Sequence, residues 1–197
     1  MRPQETPPIS ETIEARRFLL RDSQGQVRAE LGLIGDQPYF GLNDTNGARR
    51  AEVGLVGEGP FVTLRDASGN SRAMFSLLSD TPALNLLDAN KKVRASITLL
   101  ARGPVVELRD SNGVSYAHLA IEGEAPQVSL HAADGKSYAA LVLHAGGPTL
   151  DLCDKDGYRA VLGVLDAQGA KTGEQRWTCA ASAFLLDKDG RVIWRAP

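Results

Sequence analysis

The sequence has little of what usually points to a partner or a compartment. Positive and negative charges nearly balance, with a formal net charge of −2 over 197 residues. This argues against a nucleic-acid or anionic-membrane partner held by bulk charge. No run of about 18 apolar residues occurs, so no segment is predicted to be a membrane-spanning helix. With only 2 cysteines, the sequence does not establish an oxidising compartment.

Catalytic signatures are missing as well. The sequence has no glycine-rich phosphate loop with its lysine, no Gly-x-Ser-x-Gly turn and no His-Glu-x-x-His motif. No nucleophile and base stand at a recognisable spacing. We therefore expect a non-enzymatic protein without a cofactor.

The first residues lack the apolar region of a secretion signal. This predicts either a cytoplasmic protein or the exposed part of an anchored envelope protein whose upstream segment lies outside the sequence. Residues 1–14 are proline-rich and polar, which is typical of a flexible tail.

What the sequence does have is a period of 22 residues that runs through seven units, from residue 15 to residue 163. A fixed period of this length indicates a repeat architecture. The marker is an aspartate, replaced once by Ala132: Asp22, Asp44, Asp66, Asp88, Asp110 and Asp154.

Three positions after each marker stands a glycine, with Lys91 as the exception. Asp-x-x-Gly between two apolar runs predicts a hairpin turn, because glycine tolerates positive φ and aspartate bonds its own following backbone. Some of these turns, such as the one that begins at Asp154, resemble the opening of a calcium loop. Glycine comes fourth rather than sixth and no acidic residue follows in register, so we interpret them as turns.

Apolar residues alternate on both sides of each turn. Leucine stands two positions before the marker, as at Leu20 and Leu86, and alanine follows the turn, as at Ala29 and Ala95. Alternate residues of a strand share a face, so the sequence predicts one buried apolar face per hairpin. The opposite face, which carries an arginine column that includes Arg72, is predicted to be polar and wet. Leu86→Asp is then expected to cost several kcal/mol, and Arg72→Ser almost nothing.

The apolar pattern also predicts the pairing register. Leu20 should face Ala29 and Phe18 should face Leu31, across a four-residue loop from Ser23 to Gln26. In the seventh unit the loop is one residue shorter, which places Leu152 opposite Ala160. In the terminal hairpin, residues 183–197, a three-residue loop predicts Leu185 opposite Ile193 and Phe184 opposite Trp194.

These hairpins predict an all-β fold. We favour a solenoid or prism of hairpins around an apolar interior, because the small alanine column suits a narrow axis. The alternative is a long up-and-down meander closed into a barrel. Residues 164–182 lack the alternating columns and are predicted to be an irregular insert or cap.

Two functions remain open from the sequence. The first is a rigid structural or interaction scaffold that presents polar faces to a protein or a cell-envelope polymer. The second is a small-ligand-binding protein or cryptic enzyme whose site lies in the insert, with Arg176 and Trp177. His118, His131 and His144 lack neighbouring ligands and are interpreted as surface residues rather than a zinc site. We expect Cys153 and Cys179 to be free thiols.

One stretch carries a resemblance to known sequences. Residues 18–32, Phe-Leu-Leu-Arg-Asp-Ser-Gln-Gly-Gln-Val-Arg-Ala-Glu-Leu-Gly, resemble a unit of the form Leu-x-Asp-x-x-Gly-x-x-Arg-Ala-x-Leu, found in tandem in uncharacterised bacterial proteins. The end of the chain, with Leu-Asp-Lys-Asp-Gly-Arg-Val-Ile-Trp at residues 186–194, is similar to how such proteins finish. Some of them carry a membrane-proximal or coiled-coil segment ahead of the repeats, which implies an anchored protein. Tyr116 and Tyr138 replace the arginine of this pattern, so a ligand contact is expected there first.

Overall fold

The computed structural model describes residues 12–163 and 182–196. These residues form one 16-stranded antiparallel sheet in which the strands lie in chain order. The all-β class is therefore confirmed. No helix within the described ranges is long and apolar enough to cross a membrane. The strands are β1 (Phe18–Arg21), β2 (Val27–Ile34), β3 (Gln37–Asn43), β4 (Arg49–Val56), β5 (Gly59–Arg65), β6 (Ser71–Leu78), β7 (Thr81–Leu87), β8 (Val93–Leu100), β9 (Gly103–Arg109), β10 (Ser115–Glu122), β11 (Ala125–His131), β12 (Tyr138–His144), β13 (Gly147–Cys153), β14 (Arg159–Gly163), β15 (Ser182–Leu186) and β16 (Val192–Ala196).

The sheet is open. Strand β1 pairs with β2 and β16 pairs with β15, and these two strands form its edges. The closed-barrel alternative is therefore wrong. A single open layer also encloses no apolar interior within the described part of the chain.

The register of the hairpins agrees with the apolar pattern. Leu20 faces Ala29 and Phe18 faces Leu31, and in the seventh unit Leu152 faces Ala160. A one-residue slip would move every large apolar side chain to the other face, and this constraint fixes the pairing.

Most turns are tighter than the predicted four-residue loop; the sixth keeps four residues, because the N–H of Ala132 donates to the carbonyl of Ser137 and the pairing there has no bulge. In the first unit the N–H of Gly25 donates to the carbonyl of Asp22 at 3.0 Å, and the N–H of Asp22 donates to the carbonyl of Gln26 at 3.0 Å. The loop has three residues because the Asp22 carboxylate accepts the N–H groups of Gln24 and Gln26. The fourth residue of the predicted loop is accounted for by a β-bulge, in which β2 has one extra residue opposite the step from Leu20 to Arg21.

A bulge of the same kind changes the pairing register of the terminal hairpin. Leu185 faces Trp194 and Phe184 faces Arg195, so the predicted pairing with Ile193 and Trp194 was wrong by one residue. The cause is again the turn, in which the N–H of Asp187 donates to the carbonyl of Arg191. The pairing register shifts between Leu185 and Leu186, because the opposite strand has one extra, unpaired residue there. The apolar pattern of the sequence gives no sign of this residue.

The face predicted to be buried is the more exposed one. We call it the apolar face. It carries two large apolar side chains on every strand from β1 to β13, and Leu20 is 65% exposed and Leu86 49% exposed. The prediction failed because alternation tells which residues share a face but not whether a second layer covers that face. The described strands form a single layer.

The opposite face, here called the polar face, is the less exposed one. Thr63, Ser76 and Ser96 are buried, at 3%, 4% and 6% exposure. They are small and lie between longer side chains, such as Met74 opposite Thr63. Towards the end of the array this face becomes apolar, where Val161, Phe184 and Leu186 form a buried cluster.

Candidate interaction surface

The apolar face consists of three parallel rows of residues that cross the strands. Following the paired positions from strand to strand, every residue on this face is Leu, Ile, Val, Phe, Trp, Ala or Pro. The leucine–alanine row is Leu20, Ala29, Leu42, Ala51, Leu64, Ala73, Leu86, Ala95, Leu108, Ala117, Leu130, Ala139, Leu152, Ala160, Leu185 and Trp194. The central row runs from Phe18 through Leu31, Phe40, Val53, Val62, Phe75, Leu84, Ile97, Val106, Leu119, Val128, Leu141, Leu150 and Leu162 to Ala183 and Ala196. The leucine–proline row is Leu33, Pro38, Leu55, Pro60, Leu77, Pro82, Leu99, Pro104, Ile121, Pro126, Leu143 and Pro148.

The size of this face is unusual for a surface in water. A fully buried Leu, Val, Ile or Phe side chain removes about 60–120 Å² from water, so half-exposed side chains at two per strand on β1 to β13 leave roughly 800–1,500 Å². The largest apolar patch of a typical monomer is about 300–600 Å². A stable protein–protein interface buries about 800 Å² on each partner. The apolar face is therefore the size of an interface.

The leucine–alanine row has the relief of a packing surface. Large and small residues alternate strand by strand, as in Leu86, Ala95 and Leu108. Neighbouring strands lie about 4.8 Å apart, so the leucines repeat about every 10 Å with an alanine gap between them. Alternating large and small positions allow two layers to interdigitate.

The arginine column fastens neighbouring hairpins to one another. Three of these arginines donate from Nε to a backbone carbonyl of the next hairpin: Arg50 to Arg65 at 3.0 Å, Arg72 to Leu87 at 2.9 Å and Arg94 to Arg109 at 2.7 Å. The column was predicted to be a wet outer face. These arginines are 40–44% exposed and also hold the strand ends, because the bulge directs them towards the following hairpin.

The turn aspartates complete this clamp. Asp44, Asp66 and Asp88 lie 3.3, 3.4 and 3.5 Å from the arginine of their own hairpin. The N–H of Lys92 holds the pKa of Asp88 below its usual value, against desolvation, and the N–H of Asn90 and the Arg94 guanidinium act in the same direction. One carboxylate oxygen serves the turn and the other serves the arginine, so the turn interpretation is confirmed.

A network of charged side chains covers the polar face over β2 to β5. Glu30 accepts from Arg49 at 3.2 Å and pairs with Arg17 at 2.5 Å, and Arg49 also contacts Glu52 at 3.3 Å. The hydrogen bond from Tyr39 is the largest cause that lowers the pKa of Glu30. Arg17 and Arg49 lower it further, and the three together outweigh desolvation, which raises it. Gly41 leaves the room for Arg49, since a Cβ there would lie 2.0 Å from the guanidinium. The network pairs charge with charge within the sheet.

Of the residues predicted to contact a ligand, Tyr138 is held by structural partners. The Tyr138 hydroxyl donates to Asp151 at 3.0 Å, and Arg159 also pairs with Asp151. Desolvation, reinforced by the Asp151 charge, raises the pKa of Tyr138 to about 12. Tyr116 is the extra residue of the bulge between Ser115 and Ala117. Arg176 and Trp177 lie outside the described residues, as does Cys179, so the insert hypothesis stays a prediction.

The histidines are dispersed. His131 bonds the Ser129 hydroxyl at 2.9 Å, and its ring centroid lies 6.1 Å from that of Tyr138. His118 is paired with Glu107 and Ser129, which lie beside it on the two adjacent strands. Within residues 12–163 and 182–196, no group of three or more potential metal ligands lies together.

A groove of about 430 Å³ lies beside the last hairpins. Its lining includes Leu152, Leu185 and Ile193, and its two charged members already have partners: Asp154 holds its turn and Arg159 pairs with Asp151. Cys153 carries a free thiol, and desolvation raises its pKa, which keeps it protonated near neutral pH. The groove therefore offers apolar contact rather than an activated nucleophile.

Sequence reasoning missed the exposure of the apolar face. A signal was present, since the sequence holds hairpin units on both sides of one insert but no second set of amphipathic elements to cover them. The alternation alone was interpreted as burial within the chain.

Comparisons with known proteins do not add a function. No protein-family model matches the chain, and no curated protein matches it. Among solved structures, the chain is similar to a mutant of S. aureus TarM in complex with Fondaparinux, alpha-GlcNAc-glycerol and UDP, with 11% identity and a TM-score of 0.32. The match covers 54% of this chain and 20% of that one. A likeness this weak supports no conclusion about fold or activity.

Proposed function

We propose that the chain is a non-enzymatic structural or interaction module, a repeat scaffold whose binding surface is the apolar face. The observation that carries the proposal is the exposure of that face on strand after strand, from Leu20 at 65% to Trp194 at 52%. The apolar interior expected of these repeats then lies between this chain and its partner.

The choice of face departs from the expectation of polar presenting faces. The charged residues of the polar face and the turns bond one another and the backbone, as in the Glu30 network and the Arg72 clamp. Groups paired in this way gain little from a new partner, because their existing bonds would have to be broken first. The apolar face has no such bonds to lose, and covering it removes apolar area from water.

The partner class follows from the same chemistry. A hydrated envelope polysaccharide offers mainly hydroxyl groups, and an apolar sheet face leaves these unpaired at a cost. A protein with its own apolar surface covers the face without that cost. We therefore favour a protein partner over an envelope polymer.

The experiment compares complexes formed in cells. The chain is expressed with an affinity tag, and its size in the clarified extract is measured by gel filtration for wild type and for Leu86→Asp combined with Leu108→Asp. Both leucines are about half exposed, at 49% and 52%, so the sheet should still form.

We expect the wild type to elute as a complex and the variant to elute at a smaller size. The matched control is Asn85→Asp, which adds one charge on the opposite face of the same strand as Leu86. The proposal fails if wild type and the apolar-face variant elute together, or if Asn85→Asp has the same effect as the apolar-face variant.

A further inference from the structure

We infer that the partner on the apolar face is another copy of this chain, packed so that the leucines of one leucine–alanine row lie over the alanines of the other. This inference rests on the proposed function, since it names the protein that covers the same face. It requires self-complementarity, and three properties of the face provide it.

The first property is the charge. The residues of the face are all apolar, so two copies meet without bringing like charges together. A different protein is usually selected by polar or charged groups at defined positions. This face has none, and its selectivity must come from shape.

The second property is the period of that shape. A partner must present large groups about every 10 Å, the spacing of two strands, to fill successive alanine gaps. A second copy has this spacing automatically, displaced by one strand. For example, Leu86 of one copy fits the gap at Ala95 of the other, between Leu86 and Leu108.

The third property is the twist. Strands in a sheet rotate by about 20–25° relative to their neighbours, so a long partner stays in contact only if it twists in the same sense and by a similar amount. An identical sheet meets this condition along all of its strands. Packed sheets of this kind form an interior about 10 Å thick.

The area agrees with a stable assembly. The exposed apolar side chains leave roughly 800–1,500 Å² per chain, against the approximately 800 Å² per partner of a standard interface. Interfaces between identical subunits are also the more apolar ones. A face of this size and composition is thus suited to an obligate homo-oligomer.

The test begins with the mass of the purified full chain, measured by gel filtration with light scattering over a wide range of protein concentrations. Two or more chains per particle are expected. A monomer at every concentration would overturn the inference. If the monomer nevertheless forms the larger complex in cell extract, the proposed function survives with a different partner, which separates the two failures.

A second variant tests the packing. Ala95→Leu adds apolar surface, so it would strengthen association if the two faces met without a defined fit. If the faces interdigitate, the new side chain instead fills the gap that a leucine of the other copy occupies. We expect the dissociation constant to rise by about tenfold or more, as overpacking a fitted interface does. An unchanged or tighter association would refute interdigitated packing.

Ala83→Leu is the matched control. It makes the same substitution on the opposite face, where Ala83 lies between Ser76 and Thr98. Association should be unchanged. Circular dichroism checks that each variant is folded. Leu86→Ser is an independent test, since it removes the side chain that fills the gap of the other copy and should weaken association without overpacking.

Discussion

The arginine clamp gives a prediction whose magnitude follows from the geometry. Arg72 donates from Nε to the carbonyl of Leu87 at 2.9 Å, across to the next hairpin, and contacts Asp66 at 3.4 Å in its own turn. Arg72→Ala removes both contacts. A hydrogen bond from a charged donor contributes about 1.5–3 kcal/mol. The Arg72 side chain is 44% exposed, and solvent screens its contacts.

We therefore expect Arg72→Ala to lower the free energy of unfolding by about 1–2 kcal/mol, most of it from the bond to Leu87, because an exposed ion pair adds little. This reverses the expectation from the sequence that the position is neutral. Arg72→Lys should recover only a small part of the loss, since lysine lacks the Nε–H that is fixed beside the carbonyl.

The measurement is the urea midpoint at one protein concentration, with the slope of the transition compared between variants. Lys92→Ala is the control, at an exposed residue that contacts Asp88 through its backbone N–H. It should change stability by less than about 0.5 kcal/mol. The clamp is refuted if Arg72→Ala matches Lys92→Ala.

Two further predictions concern the turns. The pKa of the Asp88 carboxyl is lowered in the folded state, by the Lys92 N–H first and against desolvation, and hydrogen bonds from Ser137 hold the pKa of Asp134 at about 2. The stabilisation by these two carboxylates is complete above the unfolded pKa of about 3.9 and is lost as the pH falls towards the folded pKa values. When the pH is lowered beyond about 4, the urea midpoint should therefore decrease, and it should decrease less steeply in the Asp88→Asn variant. A midpoint that stays level from neutral to acid would contradict this. Lys91 adopts φ 64° where most other turns have glycine; Lys91→Gly should raise the free energy of unfolding by about 0.5–1 kcal/mol, since the relief of left-handed strain exceeds the entropy cost of glycine. Thermal or urea unfolding checks it, and a loss of stability would show that Lys91 is held by its side chain.

The parts of the fold that the sequence predicts are those set by local rules. The turn at Asp22, the pairing of Leu20 with Ala29 and the identity of the two faces depend on residue type and a period of two. The bulge after Leu20 was not predictable from alternation, because a bulge leaves the apolar columns in place on either side of it. The same hidden residue misplaced Ile193 and Trp194 in the terminal hairpin.

The candidate site was predicted less well, for a different reason. Burial is a property of what lies above a face, and the residue pattern of Leu86 or Leu108 is the same whether its own chain or another chain covers it. The departures at Tyr116 and Tyr138 drew attention as possible contacts because they break the pattern. In the structure Tyr138 is held by Asp151, so the break replaces one internal contact by another.

The chain-order pairing of the strands also has a consequence for folding and for evolution. Each strand bonds only its sequence neighbours, and apart from β14 and β15, which residues 164–181 connect, short turns join these neighbours, so closing each of those hairpins costs a similar, small loop entropy. Low contact order of this kind favours rapid folding that starts at any hairpin and spreads in both directions. Gain or loss of one whole unit by gene duplication or deletion leaves the other pairings untouched and changes the span of the array by about 10 Å.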